Sequence, residues 1–447
     1  MIDTTRARAL AAEAVAFAEE AGAEQSEALV AATNGALTRF AGNRIHQNMQ
    51  SEDAEISVRA VIGTRIGVAS TNRVDPAGLE ACARAAAEAA RLAPEDPSFP
   101  GLPAASPIEH ADRVAAATLA FDAEARAIAV GSLIATAAGA GGVAAGGVAR
   151  DHTVTAVANS LGVGVGMART SVRATVLATG AAGGTGWASF TGLDASGLDA
   201  AAMGAFAAET ARLSADPIEL DAGSYTVVLA PEAVADIAQF LAWYGCSAKS
   251  VEEGRSFMSG KLGQRVTSPL ITLVDDALRS SAIGLTFDYE GQPKTRVALI
   301  DAGVASTPVT DSYWAARTGT PNTGHALPAP NAMGPLPLDV AIEPGDATRE
   351  SLIASVKRGV YVTRFHYVNI EDPTRVTLTG MTRNGTFLIE NGQLTSPVKD
   401  LRFTQPALEA LDTTLGVSAQ RQLVGDEGAA LVPYLLLERF TFTGRTT

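Results

Sequence analysis

A chain of 447 residues is longer than one ordinary hydrophobic core requires, so two or three domains are expected. Hydrophobic residues make up 47% of the chain and charged residues 18%, which suits substantial cores built largely from small side chains. The formal net charge of −14 argues against a nucleic-acid-binding protein, because such a protein normally carries a basic face.

The first region, residues 1–105, is predicted to combine helices with strands. The stretch Thr4–Ala21 is typical of a helix and carries acidic residues, so we expect neither a signal peptide nor a membrane span. A second helix is expected to start at Pro76 and to end before Pro94, where a Pro-rich connector begins. Between the helices, a hairpin turn is expected at Gly63. The predicted strands are 27–32, 36–41, 55–62 and 64–70.

The second region, residues 106–218, is also predicted to mix helices and strands. A glycine-rich run separates its first helix from its strands, and Pro217 marks the next boundary. The predicted elements are a helix at about 111–138, strands at 148–159 and 164–178, and a helix at about 199–213.

The third region, residues 219–447, opens with a predicted strand at 224–230 and a helix that starts at Pro231. Short apolar runs separated by Gly, Pro, Asn and Asp follow, and they predict a mostly β domain. Within it, only 348–358 has a helical pattern. The sequence therefore predicts an α+β protein, with N-terminal helix and strand regions before a β-rich C-terminal domain.

Metal-ligand patterns are weak in this sequence. A catalytic zinc ion needs about three protein ligands and a water, and no HExxH motif is present. Isolated histidines at the surface or in hydrogen bonds are the simpler interpretation, although a site built from His325, His366 and an acid stays open. The histidines are His46, His110, His152, His325 and His366.

Nucleophile patterns are also weak. The chain has no GxSxG motif, and nothing beside Cys246 predicts a lowered thiol pKa. Two cysteines, Cys82 and Cys246, are too few for a disulfide framework and fit a reducing, cytoplasmic setting. The pair Asp275 and Asp276 is interpreted as a strand-end turn rather than as an acid/base pair.

Several collinear blocks resemble one known family over most of the chain. The most specific block, at 252–276, is EEGRSFMSGKLGQRVTSPLITLVDD. Clear blocks follow at 287–304, 323–328, 343–365 and 385–403, and weaker ones precede it at 37–47 and 157–163. Together they resemble the TldD/PmbA family, bacterial and archaeal proteins once called modulators of DNA gyrase and now regarded as metallopeptidases.

The resemblance implies two kinds of subunit. TldD-like chains carry an HExxxH motif on the helix after the strand that opens the third region, and a zinc-ligating Cys near the C-terminus. PmbA-like chains, also called TldE, lack these ligands and pair with a TldD-like chain. Here the two His positions fall at Gln239 and Tyr244, the Glu position at Phe240, and the Cys position at Val424. The resemblance thus implies a degenerate zinc site and no catalytic residue in this chain.

The family resemblance leads to an expected function. We expect a PmbA/TldE-like subunit that binds no cofactor itself and forms a heterodimer with a zinc-carrying TldD-like subunit. A homodimer of this chain is the open alternative when it is alone. Extended peptides from small or unfolded proteins and peptide precursors are the implied substrates, bound by pairing to a strand edge. Two alternatives are an independent hydrolase with a relocated metal site at His325 and His366, and a regulatory protein-binding module.

Overall fold

A computed structural model describes residues 2–108, 112–425 and 428–445. These residues fold into two sheets with helices packed on them, and the predicted α+β class is confirmed. The helices are α1 (Thr4–Glu20), α2 (Pro76–Leu92), α3 (Ala116–Leu119), α4 (Ala123–Ala137), α5 (Ala200–Leu213), α6 (Pro231–Gly245), α7 (Ala248–Glu252), α8 (Ser312–Thr318), α9 (Arg349–Ala354) and α10 (Ala407–Leu411).

The strands occur between and after these helices, singly or in runs of two to four. They are β1 (Gln25–Ala41), β2 (Arg44–Ile62), β3 (Arg65–Thr71), β4 (Val143–Asn159), β5 (Gly164–Thr179), β6 (Thr185–Gly192), β7 (Gly223–Leu229), β8 (Leu273–Asp275), β9 (Val297–Asp301), β10 (Val304–Ala305), β11 (Val340–Ile342), β12 (Arg358–Asp372), β13 (Thr377–Glu390), β14 (Gln393–Pro397), β15 (Leu401–Pro406), β16 (Thr414–Val424) and β17 (Ala430–Arg445).

The N-terminal half forms one six-stranded antiparallel sheet in the order β3-β2-β1-β4-β5-β6. Strands from both sides of the Pro-rich connector share it, because β1 pairs with β4 from Glu27 to Phe40. Alternate residues of β1 are buried beneath helices α1 and α4, as the two-residue period of a strand requires, while α2 packs on β2 and β3. The opposite face of this sheet is turned toward the C-terminal half, and we call it the open face.

The C-terminal half is built on an eleven-stranded mixed sheet. In it, β7 runs parallel to β12 and antiparallel to the long strand β17. Helix α6 packs on β12 and β17 and contributes Val234, Ile237 and Leu241 to the largest core. This arrangement holds α6 between the C-terminal sheet and the open face of the N-terminal sheet.

The first two predicted strands are in fact one strand, β1. Two strands were predicted here because Asn34 and Gly35, which lie between them, are typical turn residues. In the fold both are paired on either side, by β2 and by β4. The side chain of Asn34 also donates to Glu52 Oε1 at 2.7 Å, so tertiary pairing outweighs the local turn preference.

Short elements were the main errors of prediction. The expected helix at 111–138 is divided into α3 and α4, with Asp122 capping α4, while residues 109–111 lie outside the described ranges. Strand β6 was not predicted. The prediction of a single helix in the β-rich domain was wrong, because α7, α8 and α10 accompany α9. These helices have seven residues or fewer, too few to establish a helical period.

Two helices, α2 and α9, followed their terminal signals closely. Helix α2 begins at Pro76 with Asp75 as its N-cap, as predicted. Helix α9 lies within the predicted 348–358, and Thr348 forms a capping box with Ser351. In the ranges that the structure covers, no helix is both long and apolar enough to cross a membrane.

Candidate functional site

A cleft of about 380 Å³ lies between the open face of the N-terminal sheet and helix α6. Strands β5 and β6 form one wall, α6 forms the floor, and β12 with the end of β16 forms the other wall. Residues that line it include Arg173, Trp187, Ser189, Glu232, Asp236, Gln239, Arg364, His366, Tyr367 and Val424.

Helix α6 places one polar stripe in this cleft. Its sequence starts with Pro231, which favours the first helical turn, and its apolar residues face the C-terminal core. Glu232, Asp236 and Gln239 follow one another at helical spacing and all line the cleft. The helix ends at Gly245, where an added Cβ would lie 2.1 Å from the Phe257 ring. The close contact between Gly245 and Phe257 therefore helps to hold α6 in the orientation that turns its polar side chains toward the cleft.

Two of the four positions aligned with zinc-site residues meet in the cleft. Gln239, which the family resemblance assigns to the first His position, donates from Nε2 to the backbone oxygen of Gly428 at 2.6 Å. Val424, at the Cys position, ends β16 and lines the same cleft. The fold therefore brings these two positions to one cleft although they lie 185 positions apart in the sequence.

The other two aligned positions turn away from the cleft and pack on the core. The family resemblance assigns Phe240 to the Glu position and Tyr244 to the second His position. Their rings stack with centroids 5.9 Å apart and planes 4° apart. Both rings, with that of Trp243, pack against the C-terminal core, as expected of an aromatic stripe. A zinc ion is usually bound by imidazole nitrogen, carboxylate oxygen or thiolate sulfur. The hydrogen-bonded amide of Gln239, the stacked rings of Phe240 and Tyr244, and the side chain of Val424 supply none of these ligands, so they do not fit a zinc site.

A pair of carboxyl groups that the sequence analysis did not single out forms the floor of the cleft. The hydroxyl of Ser189 donates to Glu232, and Asp236 lies one helical turn further along. Burial raises the pKa of Asp236 to about 7, and the nearby Glu232 adds to this shift while Arg364 opposes it. Burial also raises the pKa of Glu232. Two acids at positions i and i+4, just after a proline that starts a helix, were the available sequence signal.

Aromatic and basic side chains form the wall opposite the N-terminal sheet. The Arg364 guanidinium lies 4.2 Å from the centroid of the Trp187 ring, so it links β12 to β6 across the cleft. Next to it, the His366 ring lies 4.3 Å from the ring of Tyr367, which is 73% exposed. Burial lowers the pKa of His366, and Arg364 and Arg383 lower it further, which favours a neutral imidazole. The cleft therefore combines an acidic floor with an aromatic rim.

His325 is not part of this cleft. It is buried, with Nε2 2.9 Å from Oδ1 of Asp275 and Nδ1 3.0 Å from Oγ1 of Thr323. Burial raises the pKa of Asp275, but Lys294 and His325 outweigh that effect and hold the pKa below its usual range. Asp275 is the last residue of β8 and also accepts a hydrogen bond from the Asp339 N–H at 2.8 Å. Its carboxylate therefore connects β8 to the segments that carry His325 and Asp339.

The structure does not join His325 and His366 into one site. His366 lines the cleft, whereas His325 is enclosed with Asp275. His46 lies on the exposed first part of β2 and His152 lies on β4, and His110 lies outside the described residues. Across ranges 2–108, 112–425 and 428–445, no three His, Cys, Asp or Glu side chains are grouped so as to hold a metal ion.

The two cysteines are buried and unpaired with each other. Burial raises the pKa of the Cys82 thiol and, more strongly, that of the Cys246 thiol. The Cys246 thiol lies 3.7 Å from the backbone oxygen of Leu241, at the end of α6. Neither thiol has the lowered pKa and access that a nucleophile needs.

Comparisons with known proteins agree with this architecture. A crystal structure of TldE from Thermococcus kodakarensis is similar to this chain with a TM-score of 0.88 and 20% identity, covering 96% of this chain and 99% of that one. At that level of identity the similarity establishes the fold alone.

Two curated relatives are similar over part of their length. The metalloprotease TldD homolog of Haemophilus influenzae is 31% identical over 212 residues, which are 46% of this chain and 41% of that protein. A metalloprotease of Methanothermobacter thermautotrophicus is 24% identical over 205 residues, 45% of this chain and 44% of that protein. The matched part is thus less than half of the length of either relative.

Sequence profiles of the PmbA/TldA metallopeptidases match nearly the whole chain. Domain 1 matches residues 26–90, the central domain matches 97–215, and the C-terminal domain matches 222–444. The matches follow one another in order and include both sheets and helix α6. The chain therefore belongs to the PmbA/TldD metallopeptidase family.

Proposed function

We propose that this chain is a PmbA/TldE-like, non-catalytic subunit that supports peptide hydrolysis by a zinc-carrying TldD-like partner. One observation carries the proposal. The positions aligned with zinc-site residues hold Gln239, which is bonded to Gly428, the stacked rings of Phe240 and Tyr244, and Val424. The chain has the family's fold, and these four side chains do not fit a zinc site, which supports the proposal.

The chemistry of peptide hydrolysis explains why this difference is decisive. A zinc-dependent peptidase needs a metal-bound water of lowered pKa and a general base that takes its proton. Phe240 has no group that accepts a proton, and the amide of Gln239 is a poor zinc ligand. Without these groups, roughly 10 kcal/mol or more of barrier lowering would be lost. We therefore expect no peptidase activity from this chain alone.

The lining of the cleft supports a role for the subunit beside the catalytic chain. Its acidic floor, formed by Glu232 and Asp236, suits an amine or a basic side chain of a peptide. Its aromatic rim, with Trp187 and Tyr367, suits the flat or apolar parts of the same peptide. We propose that the cleft holds an extended segment of a small or unfolded protein, or of a peptide precursor, while the partner cleaves it.

The test is reconstitution with a TldD-like subunit that carries HExxxH. The expected result is copurification of the two chains, with hydrolysis of a fluorogenic peptide only by the mixture and loss of that hydrolysis on chelation. The variant Asp236→Asn should weaken peptide binding to the complex, whereas Glu209→Gln on the exposed side of α5 should not. Chelator-sensitive hydrolysis by this chain alone would overturn the proposal.

A further inference from the structure

A second cavity, of about 410 Å³, lies beside the cleft at the N-terminal end of helix α6. Its volume falls within the roughly 300–1,000 Å³ that is typical of ligand pockets. The charged residues in its lining, Glu232 and Arg364, also line the cleft, and so does Trp187, so the two cavities adjoin. We call this cavity the apolar chamber, after the residues Met203, Phe206, Pro231, Tyr361, Leu423 and Tyr434 that line it.

Helix α5 supplies one apolar wall of the chamber. The helix packs on α4 and β6 and buries Gly204, Ala207 and Ala211 there. Phe206 lies outside that packed stripe and lines the chamber together with Met203. Phe206 leaves 47% of its surface accessible. An apolar ligand group that covered this ring would remove apolar surface from water, which favours binding.

The opposite wall is formed by the start of α6 and by strands of the C-terminal sheet. Pro231, the buried Tyr361 of β12 and the half-buried Tyr434 of β17 line it. A charged group that moved from water into such surroundings would lose hydration without gaining an ionic partner. The chamber therefore suits an aliphatic or aromatic side chain, whereas the adjoining cleft suits a basic one.

The chamber and the acidic floor of the cleft lie at a spacing that one extended peptide can match. Pro231 lines the chamber, and Asp236, five positions further along α6, lines the cleft. A helix rises about 1.5 Å per residue, so these positions are about 7.5 Å apart along the axis. Alternate side chains of an extended strand lie on the same face about 6.8 Å apart. Two side chains of one peptide, two positions apart, therefore fit both cavities together.

We propose that the apolar chamber binds a large apolar side chain of the peptide, such as that of Leu, Met or Phe, two positions from a basic residue held over Glu232 and Asp236. The inference rests on the proposed function, because it concerns the peptide that occupies the cleft. It adds a preference for segments in which one residue separates an apolar residue from a basic one. Met203, Phe206 and Tyr434 set this preference.

Fluorescence anisotropy of labelled peptides with the full chain tests the preference. A peptide with the core Leu-Gly-Arg-Gly-Leu has an apolar residue on both sides of Arg, so it can reach the chamber in either chain direction. It should bind at least about tenfold more tightly than the same peptide with Ala in place of both Leu residues, as is typical of discrimination by an apolar pocket. Equal affinities of the Leu and Ala peptides would overturn the proposal.

Variants that change the chamber test where the preference arises. Ala202 is exposed and lines the chamber, so Ala202→Trp should fill it and remove most of the preference for Leu over Ala. Phe206→Ser, which removes the exposed ring, should also reduce the preference. The matched control is Ala201→Trp, at an exposed neighbouring position of α5 outside the chamber lining, and it should keep the preference.

A peptide with Gln in place of Arg shows whether the cleft stays intact in these variants. It should bind more weakly than the Arg peptide to every variant, because Glu232 and Asp236 are unchanged. An unchanged preference for Leu over Ala in Phe206→Ser, or in Ala202→Trp with an intact cleft, would overturn the proposal.

Hydrolysis by a mixture with a TldD-like chain separates this inference from the proposed function. If the mixture cleaves both peptides while this chain alone binds them equally, the chamber proposal fails and the proposed function stands. If the mixture cleaves neither peptide while this chain alone prefers the Leu peptide, the chamber proposal stands and the proposed function fails.

Discussion

Asp236 makes the folded protein sensitive to pH at the scale of a single residue. Its pKa rises from 3.8 to about 7 on folding, chiefly through burial. Between those values the folded state binds the proton more tightly, so the free energy of unfolding falls as the pH rises from about 4 to about 7. Asp236→Asn should remove that loss and raise the free energy of unfolding at pH 8 by roughly 1–3 kcal/mol.

Urea unfolding of both proteins at pH 5 and pH 8 measures this effect. The gain should be larger at pH 8 than at pH 5, because the natural side chain is already protonated at the lower pH. Glu209→Gln provides a control on the exposed surface of α5 and should change stability little at either pH. An equal gain at both pH values would show that Asp236 does not titrate as described.

The two thiols should be unreactive in the folded protein. Cys82 and Cys246 are buried, and burial raises the pKa of each thiol, so little thiolate forms near neutral pH. A colorimetric thiol reagent should therefore titrate neither cysteine before denaturant is added and both afterwards. Leu92→Cys should add one thiol that reacts at once. Rapid reaction of the natural folded chain would contradict the burial of these side chains.

The sequence predicted the residues of the site unevenly. The aromatic stripe of Phe240, Trp243 and Tyr244 was predictable, because residues three and four apart on a helix share a face. The roles of Glu232 and Asp236 were not predictable from α6 alone. Their surroundings depend on β5 and β6, which are distant in sequence and come into place only in the tertiary fold.

At the scale of elements, the C-terminal end of α6 should tolerate no added methyl group. A Cβ at Gly245 would lie 2.1 Å from the Phe257 ring, which is itself buried, so Gly245→Ala should destabilise the protein by roughly 1–3 kcal/mol. Gly131→Ala in the middle of α4 is the matched control. Its Cβ would meet nothing within 4 Å, so it should stabilise the protein by roughly 0.5–1 kcal/mol.

Thermal and urea unfolding of the two alanine variants compare the helices directly. Opposite signs of the change in unfolding free energy are expected, because only α6 is closely packed at its glycine. Stability of Gly245→Ala equal to that of the natural protein would contradict the packing that fixes the polar stripe in the cleft.

Elements with clear end signals were the most predictable. Asp75 and Pro76 marked the start of α2, and the structure confirms it. The continuity of β1 through Gly35 was not predictable, because it depends on pairing with β2 and β4. Helix α8, with its Asp311 cap and left-handed Gly319 end, is too short for a hydrophobic period to reveal it.

At the scale of the whole molecule, a buried ion cluster joins the two halves of the chain. Arg59 of β2 lies 2.8 Å from Glu27 of β1 and 3.1 Å from Glu290 in the C-terminal half. Arg59→Ala would leave two buried carboxyl groups without their cation, and we expect a loss of roughly 3–5 kcal/mol of stability. Arg84→Ala, which breaks an exposed pair with Glu80, should cost less than about 1 kcal/mol.

Urea unfolding measures both losses, and limited proteolysis shows whether the halves separate. Arg59→Ala should become more sensitive to cleavage near the junction, whereas Arg84→Ala should resemble the natural protein. Equal stability of the two variants would contradict the role of the cluster in joining the halves.

The zinc content of the purified chain tests the central claim most directly. The family resemblance assigns Gln239, Phe240, Tyr244 and Val424 to the zinc-site positions, so elemental analysis after incubation with zinc and desalting should find well below one ion per chain. A TldD-like chain treated in the same way serves as the positive control. One tightly held zinc ion per chain, together with chelator-sensitive peptidase activity, would contradict the account.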